Sequence, residues 1–298
     1  MKKQKEMTVV PEGQEEFVEQ EKFEFWHRFC ENKTAVLGLV VLVIIILMAV
    51  CAPMIASYSQ VIGQDMSSRT IKPGIEHFFG TDGYGRDTFA RTVWGARLSL
   101  FIAFATILLA CVVGMILGVV CGYFGGTVDA VVMRIVDVFM CLPPLLFSLS
   151  IVSALGNGMW NLILAVGITM MPYFTRVVRA AVLSVASMDY IEAARANGAN
   201  DIYIIMKHII PNCMGPIIVE ATISLSSVIM IAAGLSFIGL GVEPPSPEWG
   251  AMLSDSREYM RQAPWLVFAP GLAIVVTALA FNLVGDGVRD ALDPRQKK

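Results

Sequence analysis

The chain has 298 residues, of which 56% are hydrophobic and only 16% charged. Its mean hydropathy is +0.66; soluble domains are nearer a quarter charged, so this balance indicates a membrane protein. A net charge of −3 without a long basic block excludes nucleic acid as a partner. Six cysteines (Cys30, Cys51, Cys111, Cys121, Cys141, Cys213) form no C-x-x-C pair, and most fall in apolar runs, so they are expected to be free. His27, His77 and His208 are too scattered for a metal site.

Residues 1–33 form a polar tail rich in Glu, Lys and Arg. The run Ala35–Ala56 is too long for a signal-peptide core and reads as a retained span. A second span covers Leu98–Phe124, with Gly114, Gly118 and Gly122 at four-residue spacing, a stripe that lets another helix approach closely. No charge interrupts Val138–Thr175, yet Gly156-Asn157-Gly158 favours a reversal, giving spans near Ala130–Leu155 and Met159–Val178. Pro143-Pro144 should bend or interrupt the third span. The fifth and sixth spans are expected near Met214–Gly241 and Trp265–Gly285. The expected architecture is therefore an all-α membrane protein with six transmembrane helices. Its parts are a tail at 1–33, a first span at 34–57, an extracytoplasmic segment at 58–97, a core at 98–285 and a tail at 286–298.

Orientation follows from Lys and Arg in the flanks. With both termini inside, the inner segments hold six in the N-tail, one at Arg134, four between spans four and five, and four in the C-tail. The outer segments hold five and two. Both termini are expected in the cytoplasm, together with the loop at 181–213.

That loop contains "EAARANGANDIYIIMKHIIPN", Glu192–Asn212. Asp189 suits an N-cap with Glu192 closing a capping box. Ala193, Ala194 and Ala196 favour helix, and Gly198 suits a turn through positive φ. Asn200 or Asp201 can cap a second short helix through His208, after which Pro211 stops the pattern and opens the fifth span. Helices this short need a surface to pack on. Either another protein supplies it or the loop folds back on its own spans.

The stretch closely resembles the EAA loop of ABC importer permeases. The pattern falls on Glu192, Ala193, Ala194, Gly198, Ile210 and Pro211. His208 stands where many relatives have an aliphatic residue. The segments "HFFGTDGYGRDTFARTVWGARLSL", "GLSFIGLGVEPPSPEWGAML" and "FNLVGDGVRDALDPR" resemble the branch that transports dipeptides, oligopeptides and nickel. Where relatives often carry a Glu before "LSF", this chain has Ala232-Ala233. The resemblance implies a multi-pass permease of a prokaryotic plasma (inner) membrane, with its N-terminal span before a five-span core. It also implies a second related permease, two cytoplasmic ATPase subunits, the loop sitting in a cleft of one, and an extracytoplasmic substrate-binding protein. ATP would be bound by the partners, with no cofactor and no catalysis in this chain. Di- and oligopeptides are the expected cargo; nickel or another small solute is the alternative.

"GTDGYGRD" lacks Lys-Ser/Thr and fails the phosphate-loop pattern, so it reads as an outer loop of turns packed by Phe78, Phe79 and Tyr84, with Asp82, Arg86 and Asp87 ion-paired structurally. The rival class is an ion-coupled secondary transporter, which would carry ionisable groups deep in its spans. Glu220 is the one carboxylate well inside an apolar run. It either lines a pathway or pairs with helices near water. Arg134 and Asp137 are spaced to pair on one helix face. Small polar residues along span five, Ser224 and Ser227 among them, either face a pathway or bond neighbouring helices.

Overall fold

A computed structural model describes residues 25–292, which are mostly helical with no strand among them. After a helical lead-in at 25–31, the chain forms α1 (Lys33–Val50), α2 (Ala52–Ile55) and α3 (Tyr58–Ile62), then a loop leading to α4 (Thr88–Phe124). Next come α5 (Gly126–Met140), α6 (Pro144–Leu155) and α7 (Met159–Ala186). The segment α8 (Asp189–Ala196), α9 (Asp201–Ile204) and a π turn (Ile205–Ile209) leads into α10 (Ile210–Phe237). The short helix α11 (Trp249–Ser256) precedes the final α12 (Trp265–Leu292). Most of the expected N-terminal tail and the end of the C-terminal tail lie outside the described residues.

Five of these helical stretches are long and apolar enough to cross a membrane, or six if α5 and α6 count as one broken span. That pair meets at 94°. The cause is local: prolines lack the N–H a continuing helix needs and disfavour helical φ/ψ in the residue before them. Pro144 then restarts the helix in its first turn, where a missing N–H costs nothing. Gly156 and Gly158, at φ +88° and +133°, make the reversal into α7.

The glycine stripe of α4 makes a close helix contact, and its partner is α7. A Cβ placed at Gly118 would lie 2.6 Å from the Val178 Cβ, and one at Gly122 would lie 2.8 Å from the Val182 Cβ. Gly114 abuts Phe174 in the same way. A second small-residue contact holds α1 against α12, where Gly38 faces the Ala280 carbonyl and Gly287 faces Ala35. One apolar core runs through α4, α7, α10 and α12, and a smaller one sits beneath α8–α10, around Val119, Val178, Ile191, Ile204 and Ile209.

The helix ends differ from expectation where polar residues continue a helix past its apolar part. α4 begins at Thr88 rather than near 98, capped by Asp87, which accepts from the Ala90 N–H at 2.7 Å. α12 runs to Leu292, seven residues past Gly285. Helical backbone continues from Asp201 through the π turn into α10, with Pro211 in the first turn of α10 as expected. The π turn immediately before Pro211 shifts the hydrogen-bond register where the proline ring would clash with the preceding turn. Arg134 does not pair with Asp137 either. Asp137 turns toward α7 and accepts from Arg176 at 2.7 Å.

The end of the bundle carrying residues 52–87 and 238–264 will be called the upper end, and the end carrying α8 and α9 the lower; α4 runs between them. At the upper end, Arg86 is 2% exposed and donates to Asp82 at 2.6 Å and to Asp255 at 3.0 Å. Arg91, equally buried, lies 3.6 and 3.8 Å from the same two carboxylates and also donates to the Val61 carbonyl. Asp87 pairs with His77 at 2.7 Å. Phe78 and Phe79 of the loop cluster with Phe89 of α4, and Arg86 lies over the Tyr84 ring.

Candidate functional site

The lower loop is pinned by three isoleucines. Ile191, Ile204 and Ile209 are fully buried against Val178, Val182 and Val119 near the lower ends of α7 and α4. The opposite face is open: Ile202, Tyr203 and Met206 are more than half exposed. The loop therefore folds back on its own spans and still presents a second face to its surroundings.

Of the motif residues, Glu192, Ala193, Gly198 and Pro211 are exposed, while Ala194 and Ile210 are half-buried against the small core. Gly198 has φ +80° and ends α8 with its N–H donating to the Arg195 carbonyl at 2.9 Å. Nothing lies within 4 Å of the place its Cβ would take, so its cost to any other residue is conformational rather than steric. Asn200 caps α9, accepting from the Tyr203 N–H at 2.7 Å. The capping box expected at Asp189 does not form: Met188 is the cap residue and makes no side-chain bond. Asp189 and Glu192 sit one step later, inside the first turn, where their charge favours the positive end of the helix dipole.

Two contacts cross the Gly198 turn that residue spacing does not foreshadow. The Tyr123 hydroxyl, at the last turn of α4, donates to Asp201 at 2.6 Å. The Arg195 guanidinium lies over the same ring, 4.9 Å from its centre. His208 packs its ring against Tyr203 and Tyr190.

Glu220, Ser224 and Ser227 share one wall of a cavity of about 460 Å³ beside the α5–α6 break. Pro144, Leu145, Met170 and Tyr173 form the facing wall. The Ser224 hydroxyl donates to Glu220 at 2.9 Å, so the acid is neither fully buried nor bare. Glu220 also borders a second cavity of about 420 Å³, lined by Val177, Pro216, Val219 and Arg289. The broken helix is what completes the first cavity. The paired prolines signalled the break, but Met170 and Tyr173 carried no sequence mark of their own.

Glu248 is the acid that sequence reasoning passed over. It is 2% exposed, and it makes no ion pair among the described residues. Its carboxylate caps α11, accepting from the Gly250 and Ala251 N–H groups at 2.9 and 2.8 Å and from the Ser99 hydroxyl at 3.3 Å. Burial pushes its carboxyl above the ordinary range, outweighing those hydrogen bonds. Ala232 and Ala233 border the same small void, so this wall carries its acid on the α11 cap rather than on α10. Among the described residues no group of His, Cys, Asp and Glu could hold a metal ion.

Comparison with known proteins gives concordant matches. Residues 114–298 match the family described as binding-protein-dependent transport system inner membrane component. Residues 23–73 match the N-terminal TM domain of oligopeptide transport permease C. The dipeptide transport system permease protein DppC of Alkalihalophilus pseudofirmus is 44% identical over 90% of this chain and 88% of its own length. The di/tripeptide transport system permease protein DppC of Pseudomonas aeruginosa is 41% identical over 92% of each chain. The glutathione transport system permease protein GsiD of Pectobacterium atrosepticum is 40% identical over 92% of this chain and 91% of its own. Among solved structures, an inward-facing form of the MetNI methionine ABC transporter superposes with a TM-score of 0.56 at 21% identity, covering 68% of this chain and 96% of that one. At that identity the likeness concerns the fold. The chain belongs to the family of binding-protein-dependent transport system inner membrane components.

Proposed function

We propose that this chain is one permease subunit of an ATP-driven importer of di- and oligopeptides, forming half of the translocation pathway in a prokaryotic plasma (inner) membrane. The observation that carries the coupling role is the two-faced lower loop: isoleucines hold it to the spans while Ile202, Tyr203 and Met206 stay exposed. One of two cytoplasmic ATPase subunits docks on that face, and Glu192, Ala193, Ala194, Gly198, Ile210 and Pro211 shape it. Both termini and the lower loop then lie in the cytoplasm, and the upper end meets a substrate-binding protein outside. A second, related permease completes the pathway, with Glu220, Ser224 and Ser227 on its wall. ATP is bound and hydrolysed by the partners, and this chain needs no cofactor.

Mechanistically, closure of the ATPase pair on ATP moves the docked loop, and the helices fastened to it re-aim the pathway between inward and outward access. Such coupling requires the loop to contact the ATPases differently in the two states. Peptide cargo is supported by the dipeptide and glutathione transporters among the relatives. The test is uptake by the reconstituted complex. Labelled dipeptide should accumulate with ATP inside the bilayer's ATPase compartment and continue when an uncoupler collapses ion gradients. Uptake that follows the gradient instead, or transport of nickel in place of peptide, overturns the proposal.

A further inference from the structure

We infer that Tyr123 fastens the coupling loop to α4, and that α4 is the strut linking the loop to the upper end; this rests on the coupling role proposed above. The strut argument is mechanical. α4 is 37 residues long, roughly 55 Å at 1.5 Å per residue, and contains no proline. The other helices reaching the lower core are softer. α7 and α10 carry Pro172 and Pro216 inside them, and proline is the commonest cause of a kink. The covalent route from the loop into α10 also passes through the π turn, whose looser register makes a poor lever.

Each end of α4 is gripped by side chains. At the top, the Trp249 indole N–H donates to the Thr92 carbonyl at 2.9 Å, and the Ser99 hydroxyl donates to Glu248, tying α4 to α11. At the bottom, one residue holds both arms of the loop. The Tyr123 ring lies beneath Arg195 of α8, and its hydroxyl donates to Asp201 of α9. Because these partners flank Gly198, Tyr123 sets the angle between the arms as well as their distance from the strut. A charge-assisted hydrogen bond and a cation–π contact are both directional enough for that task. Tyr123 is thus a positioning residue, acting through Arg195 and Asp201.

The experiment uses the whole complex in nanodiscs and reads the ratio of ATP hydrolysis with peptide-loaded binding protein to hydrolysis without it, alongside the amount of ATPase subunit retained. Tyr123→Phe keeps the ring and loses the hydroxyl, whereas Tyr123→Ala loses both contacts. The expected ratio falls about two-fold in Tyr123→Phe and about five-fold in Tyr123→Ala, with the ATPase subunits still bound. An unchanged ratio in Tyr123→Ala, while Gly198→Val abolishes stimulation, overturns the fastener and leaves the coupling loop standing. A fall matched by equal loss of ATPase subunits also overturns it, since Tyr123 would then only keep the loop folded. If neither Tyr123→Ala nor Gly198→Val changes the ratio, the coupling role itself fails.

Discussion

The two ends of the molecule solve opposite problems. At the upper end, Arg86 and Arg91 are each 2% exposed and satisfied within the chain by Asp82, Asp255 and backbone carbonyls. At the lower end, the Arg176–Asp137 pair is half-exposed and Arg179–Asp129 is only partly buried, and the loop leaves Ile202 and Met206 bare. A buried ion network holds one geometry because any departure strands a charge in a dry site. An exposed apolar face does the reverse and leaves part of its burial to a partner. The upper end is built to keep its shape; on the function proposed above, the lower end is the part that moves.

The contrast breaks most visibly at Arg86. Arg86→Ala removes the nearest cation from both Asp82 and Asp255 and should destabilise the protein by about 3–5 kcal/mol. The check is the thermal midpoint and the yield of the purified protein; a change within experimental error would mean the network is not the brace described. Between the ends, Gly118→Val drives a side chain into Val178 and should cost about 1–3 kcal/mol through overpacking. Its signature is a lower midpoint together with weaker protection of a cysteine introduced on the α4–α7 seam.

At the lower end, Gly198→Val meets open space but must hold φ +80°, so about 1–2 kcal/mol of backbone cost is expected. Peptide uptake and stimulated ATP hydrolysis should fall while the protein still inserts, whereas normal uptake would refute the docking role. Glu248 tests the upper end through pH. Its folded carboxyl keeps a proton to higher pH than the unfolded one, so the folded state binds more protons in that window. Stability should therefore decline as pH rises above the ordinary carboxyl value of 4.5. Glu248→Gln should flatten that decline in a midpoint-against-pH series; an equal slope in both proteins would assign it elsewhere. The smallest effect is expected for Arg176→Ala, about 0–1 kcal/mol, because the pair with Asp137 is roughly half exposed. A loss as large as that of Arg86→Ala would erase the distinction between the ends.

Much of this was legible from residue order. Apolar run length marked where helices cross, because a bilayer imposes about 20 residues per crossing whatever the fold. Gly114, Gly118 and Gly122 announced a close helix contact, Gly198 a positive φ, and Pro143-Pro144 a break. These are one-residue or one-helix properties, set by local sterics. The capping box at Asp189 failed as a reading because a cap depends on where the preceding helix releases the chain, one residue away from the pattern. The Arg134–Asp137 pair failed because a neighbouring helix offered Asp137 a better-placed cation in Arg176.

What the sequence by itself determined was the set of apolar helices and the turns between them, since hydrophobic length and the conformations open to glycine and proline are intrinsic to the chain. Only the tertiary structure decided which helix the glycine stripe meets, that Glu248 is sealed beneath α11, and that Tyr123 reaches Arg195 and Asp201 together. Those contacts join residues far apart in sequence, as with Ser99 and Glu248. Their existence depends on helix packing, which brings side chains within a few ångströms without leaving a periodic trace in the order of residues.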